Sequence, residues 1–279
     1  MNPLLGVELF KIRKRMMTWI LLAVLVVFVS LNFILSYLAV TSNHGISSDV
    51  RTSLENALRF PKAFTFAFSI TQSVGIILLI ILAASLIGNE YEWGTVNRMI
   101  SREGRRSLYM GSKLVSLIVT TLFLVLIGLV LGTLLGIFTT SRLAGTVDWS
   151  FFTLSFAGHL IKMFGWTAFT IMVYALLAVL LASWARSVVA GIGGALGYYF
   201  IESILIGVLN DASGWLHRIP DYLIGHNARA LVTAVERGGP FSSSTPPPTA
   251  LHATAVLMVY SLAFLGIIFY LFRRQDLTA

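Results

Sequence analysis

Glu90 and Glu92 flank Tyr91, and Trp93, Gly94 and Thr95 follow directly, where a long apolar run meets a basic segment. Two carboxylates at such a place can pair with basic groups of another polypeptide or cap a nearby helix start. Trp93 can wedge into a partner's groove, Gly94 lets the chain turn, and Thr95 is a candidate helix N-cap. Arg98, Arg102, Arg105, Arg106 and Lys113 come next, able to meet acidic protein surface or lipid headgroups. A simple connection between helices takes about 2–8 residues, and the polar stretch here is roughly twenty. One reading is a docking segment gripped by a soluble partner. The other is a basic membrane anchor with an interfacial Trp, which needs no partner. The length favours docking.

Other chemistry finds little support. There are no cysteines, so disulfides, thiolate catalysis and cysteine-ligated metal are excluded. His44, His159, His217, His226 and His252 are scattered without metal-ligand spacing, and no metal site is expected. No nucleophile elbow and no G-x-x-x-x-G-K-[ST] phosphate loop occurs. Gly111-Ser112-Lys113 resembles only the tail of such a loop, with no strand before it.

The elements that must position these residues are membrane helices. The chain is 57% hydrophobic and 11% charged, against about a quarter charged in soluble domains. Six apolar segments, at about 17–40, 63–88, 113–138, 157–183, 187–210 and 252–272, each reach the roughly 20 residues needed to cross a bilayer core. Their runs are continuous rather than alternating, so they predict helices and not a strand barrel. The first run is too long for a cleavable signal sequence and is expected to remain as a span. The net charge of +8 sits at the ends of the apolar runs, which suits membrane lipid and not nucleic acid.

Orientation follows from the basic residues. Lys11, Arg13, Lys14, Arg15, the four arginines of 98–106, Lys113, Arg186, Arg273 and Arg274 fall on one side, and that side carries both termini. Arg51, Arg59, Lys62, Arg142, Arg218, Arg229 and Arg237 fall on the other, over a longer stretch of chain. The positive-inside rule therefore puts both termini in the cytoplasm. Residues 1–16 mix apolar side chains with Glu8, Lys11 and Arg13 and predict an interfacial helix, with Arg13, Lys14 and Arg15 as its inner-leaflet anchor. The longest outer loop, 211–251, contains an amphipathic stretch over Asp221 to Glu236, expected on the outer surface, and a proline-rich linker at 242–248.

Within the spans, Gly128, Gly132 and Gly136 recur every fourth residue, as do Gly193 and Gly197. Small residues at that spacing let helix backbones approach, within one subunit or across a dimer. Glu202 lies within the fifth span and Lys162 near the start of the fourth. A charge in hydrocarbon costs about 2.5–3.5 kcal/mol at the centre. Lys162 is expected to snorkel to the headgroups. Glu202 either lines a pathway or pairs structurally.

The pattern Glu90-x-x-x-Gly94-Thr95 after the second of six spans, then Ser101-Arg102, Arg105-Arg106 and Gly111-x-Lys113 opening the third, resembles the permease subunits of type-2 ATP-binding-cassette exporters, the ABC-2 family. The basic N-terminal element and the outer segment from Ile219-Pro220 to Asn227-Ala228-Arg229 fit the same resemblance, which runs over the whole chain. It implies an all-α polytopic permease of one domain, with six transmembrane helices, an N-terminal interfacial helix and a cytoplasmic coupling helix between the second and third spans. It implies residence in the plasma membrane and pairing as a homodimer or heterodimer. It also implies docking to separate cytoplasmic ATPase subunits, which would hold the ATP and Mg. Glu90, Glu92, Trp93, Gly94, Thr95, Arg98 and Arg102 would then be the docking residues, in a transport subunit that is not itself an enzyme. An ion-driven secondary transporter would need ionisable residues or broken helices near the midplane, and only Glu202 qualifies. A non-transporting anchor or signalling subunit would keep the docking loop and need no pathway.

Overall fold

The computed structural model describes residues 3–42, 47–94, 106–146, 149–150, 152–210, 216, 218–233 and 249–274. Among them, regular structure is helical throughout. The elements are α1 (Pro3–Lys14), α2 (Met16–Thr41), α3 (Ser48–Leu58), α4 (Lys62–Glu92), α5 (Arg106–Ala144), α6 (Leu154–Ala185), α7 (Val188–Asn210), α8 (Ile224–Thr233) and α9 (Ala250–Arg274), with a 3-10 turn at Pro220–Tyr222 before α8.

Six of these helices, α2, α4, α5, α6, α7 and α9, are long and apolar enough to cross a membrane. The protein is therefore a multi-pass membrane protein, as lipid can satisfy its backbone groups only through such helices. The third span exceeds its expected length at both ends, running from Leu108 to Ala144.

α4 is the central span. It packs on α2, α5, α6 and α7, and 78% of its apolar window is buried, against 17% for α7 at the periphery. The glycine repeat explains how α5 comes so close. A Cβ at Gly128 would lie 2.3 Å from Thr71 Oγ1, one at Gly132 2.3 Å from Ala67 Cβ, and one at Gly136 3.0 Å from Ala63 Cβ. Residues 128, 132 and 136 thus meet 71, 67 and 63 in antiparallel register, a seam within one chain. Gly193 and Gly197 behave differently: within this chain nothing lies within 4 Å of a Cβ at either. The close approach of α7 is made instead by Gly191, against Ala182 and Ala84, and by Gly194 against Leu181.

The described ends of the chain, α1 and the end of α9, lie on one side of the bundle. Phe272, near the end of α9, stacks on Tyr109 at the start of α5 with ring centroids 5.9 Å apart. Lys11 of α1 comes within 3.7 Å of Glu90 at the base of α4. We refer to this as the terminal side.

Among the described residues, the far side carries helical structure between the spans. The loop expected over 41–62 contains helix α3. Thr139 donates to the Leu58 carbonyl (2.8 Å), and the Phe60 amide donates to Thr140 Oγ1 (3.1 Å). The amphipathic segment also departs from expectation. Helix α8 starts at Ile224, residues 234–236 lie outside the described residues, and the helix is packed into the bundle rather than laid over it. Ile224, Asn227, Ala228, Ala230 and Leu231 are all buried. Part of its polarity finds protein partners, which makes that burial tolerable, although Asn227 Oδ1 is buried without a hydrogen-bond partner. Asn227 donates to the Asp221 and Leu223 carbonyls, both at 2.8 Å. Tyr260 donates to the Tyr222 carbonyl at 3.1 Å.

Candidate functional site

Four charged side chains from three helices converge at the terminal side. Lys113 Nζ lies 2.6 Å from Glu90 Oε1 and 3.5 Å from Glu8 Oε2. Lys11 Nζ lies 2.9 Å from Glu8 Oε1 and 3.7 Å from Glu90 Oε1. Tyr109 donates its hydroxyl to Glu90 Oε2. Its ring lies under the Lys113 ammonium, 5.0 Å from the centroid. Lys113 also donates to the Leu86 carbonyl at 3.4 Å. Glu8, Glu90 and Lys113 are buried.

Two lysines and two glutamates balance, so the cluster carries no net charge. That balance permits burial, because an uncompensated charge there would cost several kcal/mol. Burial works against the Glu8 carboxylate, but Lys113 and Lys11 outweigh it and hold its pKa below the ordinary carboxylate value.

Local sequence explains how the parts arrive. On α1, Glu8 and Lys11 are three residues apart and share a helix face. Glu90 is in the last turn of α4, and Lys113 two turns into α5. Tyr109, one turn before Lys113, therefore points into the same space.

Glu90 thus finds its basic partners inside its own chain. Glu92 caps a helix, but the helix is α7: its Oε1 accepts from the Val188 amide at 3.0 Å. Beside it a Cβ on Gly88 would meet the Val188 backbone at 2.6 Å, so α4 and the start of α7 touch backbone to backbone. Trp93 is 66% exposed. Gly94 has φ +61, a conformation that favours glycine, and it makes the turn out of α4. Thr95, Arg98 and Arg102 lie outside the described residues. Arg13 and Lys14 are exposed and Arg15 half-buried. Trp19, just after them, donates to the Arg13 carbonyl at 2.8 Å.

A second polar constellation lies towards the far side. The Glu202 carboxylate is buried and accepts three hydrogen bonds. They come from Tyr174 (2.6 Å), the Gly225 amide (2.7 Å) and Tyr198 (3.3 Å). These bonds pin the start of α8 to α6 and α7. The same carboxylate borders a cavity of about 640 Å³ bounded by α2, α4, α7 and α8. Lys162 is exposed.

Sequence reasoning passed over Glu8, Lys11, Tyr109 and Tyr174 as site residues. A signal for Glu8 existed: it is the one acidic residue among the first sixteen, in a segment otherwise basic. Tyr174 offered none, since an aromatic within an apolar span is ordinary.

Fold and site define a polytopic membrane protein whose spans are fastened together on the terminal side by buried ion pairs. The chain belongs to the family described as "Protein of unknown function (DUF2705)", whose model matches residues 52–278. That match takes in Glu90, Lys113 and Glu202 and begins after α1 and α2. No curated protein matches the chain.

Proposed function

We propose that this protein is the membrane-spanning permease subunit of an ATP-binding-cassette exporter, powered by separate cytoplasmic ATPase subunits. The terminal side is cytoplasmic and the membrane is the plasma membrane. α1 lies along the inner leaflet, and the coupling helix expected between the second and third spans falls on residues 95–105, outside the described residues. The observation that carries this reading is the buried cluster of Glu8, Lys11, Glu90 and Lys113. It ties α1 to the bases of α4 and α5, so force applied to α1 or to the segment after Trp93 reaches two spans at once. Exposed Trp93 beside it offers a contact for the ATPase.

Mechanism follows from two-state coupling. Closure of an ATPase dimer favours one arrangement of two paired permease subunits, and several kcal/mol of bias moves the population from one arrangement to the other. This chain's residues transmit the motion; the ATP and Mg belong to the partner.

Affinity purification of the full chain from its native membrane, followed by identification of bound proteins, tests the reading. The expected result is a soluble ATPase in stoichiometric amount, with ATP-driven substrate efflux after reconstitution. No ATPase, together with proton- or sodium-driven uptake, would overturn it in favour of a secondary transporter. A bound ATPase whose turnover moves nothing would make the chain an anchor or signalling subunit.

A further inference from the structure

We infer that the cavity between α2, α4, α7 and α8 is a binding site for an uncharged amphiphile with a hydroxyl-rich head. The head lies against Asn32, Ser69 and Ser73, and the chain along the apolar wall of Phe28, Phe66 and Ile206. The volume, about 640 Å³, falls within the roughly 300–1,000 Å³ typical of ligand pockets.

The formal charges on the lining are already matched. Arg229 is electrostatically coupled to Glu202 on the same cavity, and it donates to Ser203 Oγ at 3.1 Å. The Glu202 carboxylate is enclosed by Tyr174, Tyr198 and the Gly225 amide. His226, also on the lining, is 3.7 Å from Asp221. An entering cation or anion would have to take one member from a pair and leave the other uncompensated, which is costly away from water. An uncharged occupant disturbs neither pair.

The other polar groups sit deep. Asn32 is nine residues inside the far-side end of α2 at Thr41, and Ser69 is seven inside that of α4 at Lys62. Both are about 10–14 Å along their helices at 1.5 Å per residue. Lipid chains offer no hydrogen-bond partner at that depth, and a polar group without one is costly. Their hydrogen-bond polarity narrows the occupant. Ser69 donates its hydroxyl to the Phe66 carbonyl at 2.9 Å, and Ser73 donates to the Ser69 carbonyl at 3.0 Å. Each Oγ then has only lone pairs to offer. Asn32 donates through Nδ2 to the Phe28 carbonyl at 2.9 Å, keeping Oδ1 and one N–H. Acceptors thus outnumber donors among these three residues.

A head bearing hydroxyls supplies the missing hydrogens, whereas a simple ester or a phosphocholine has none to give. A free polyol would leave the apolar wall uncovered. An uncharged amphiphile with a polyol head satisfies both halves. Access is lateral, because α4 packs on both α2 and α7 and the cavity occupies the cleft between those two. This inference does not depend on the exporter reading.

The test uses the full chain in phosphatidylcholine nanodiscs, photolabelled by a monoacylglycerol with a diazirine in its chain and mapped by peptide mass spectrometry. The competitors are monolauroylglycerol, methyl laurate, lysophosphatidylglycerol and glycerol. The expected result is labelling of the peptides that contain Phe66 and Ile206. Monolauroylglycerol should displace the label at a bilayer mole fraction at least tenfold lower than methyl laurate or lysophosphatidylglycerol, and glycerol should leave it in place. Ser69→Ala with Ser73→Ala should bring monolauroylglycerol and methyl laurate to equal potency, and Ile206→Trp should abolish the labelling by filling the cavity. Equal potency of those two competitors on the wild type would overturn the proposal. So would lysophosphatidylglycerol matching monolauroylglycerol, displacement by glycerol alone, or a preference unchanged in the double serine variant. Labelling undiminished in a folded Ile206→Trp would do the same. Should Ile206→Trp fail to fold, the serine variant decides the matter, since Ser69 is half-buried and Ser73 exposed.

Discussion

Lys113 and Glu90 face each other at 2.6 Å across the α4–α5 junction, and both are withdrawn from solvent. Each is the principal reason the other can be buried. Replacing Lys113 by Ala should destabilise the protein by about 3–5 kcal/mol, the usual cost of orphaning a buried charge. Denaturant unfolding in detergent measures it. Glu90→Gln combined with Lys113→Met should recover most of that loss, because no charge is then left unpaired.

Glu8 links the same cluster to acidity. Its pKa is lowered in the folded chain, with Lys113 and Lys11 outweighing burial. A depressed carboxylate pKa contributes stability above the unfolded value, near 4.3 for Glu. That contribution is lost as pH falls through the folded value. Acidification below about pH 4.3 should therefore release α1 from the bases of α4 and α5. A spin-label pair on α1 and α5 should report the separation. Glu8→Gln should loosen the contact at neutral pH and flatten the acid response.

The α4–α5 seam tolerates no added bulk. A Cβ at Gly132 would sit 2.3 Å from the Ala67 Cβ, so Gly132→Val should cost at least the roughly 1–3 kcal/mol of ordinary overpacking. Gly197→Ala meets nothing within 4 Å and should leave the unfolding midpoint of the single chain unchanged.

Glu202→Ala removes the acceptor for Tyr174, Tyr198 and the Gly225 amide. Leaving buried donors unsatisfied costs about 1–3 kcal/mol each. Hydrogen exchange over 224–233 should accelerate while the base of α4 stays protected. Uniform acceleration over the whole chain would contradict a local role.

Trp93→Ala separates docking from folding. The side chain is exposed, so the variant should unfold like the wild type while ATP turnover no longer drives efflux in the reconstituted complex. Wild-type coupling in this variant would remove Trp93 from the proposed contact. Glu90→Ala is a poorer probe, because it also breaks the cluster.

The spans were legible because hydrocarbon thickness dictates their length, and all but α5, which overruns at both ends, begin and end close to the residues that the polarity change marks. The Gly128–Gly132–Gly136 repeat was legible for a similar reason: a four-residue spacing is a geometric statement about one helix face. Its partners, Thr71, Ala67 and Ala63, were not, since nothing local marks which helix will come near. The same limit applied to Glu90. A carboxylate at a helix end reads as an open contact until Lys113, twenty-three positions on, and α1 are brought beside it. α8 misled for another reason. Asp221, His226, Asn227 and Arg229 gave its segment the polarity of a surface helix, and much of that polarity is spent on partners inside the bundle.

Glu92 holds the beginning of α7 while Glu202, on the same helix, holds α8. α7 is thereby gripped at one end by the base of α4 and, most of the way along, by the wall of the cavity. A rod held near both ends is not free to swing, so a displacement of the α4 base at Val188 is carried into α7. One helix thus answers to two neighbours, to α4 at its first turn and to α8 near its last.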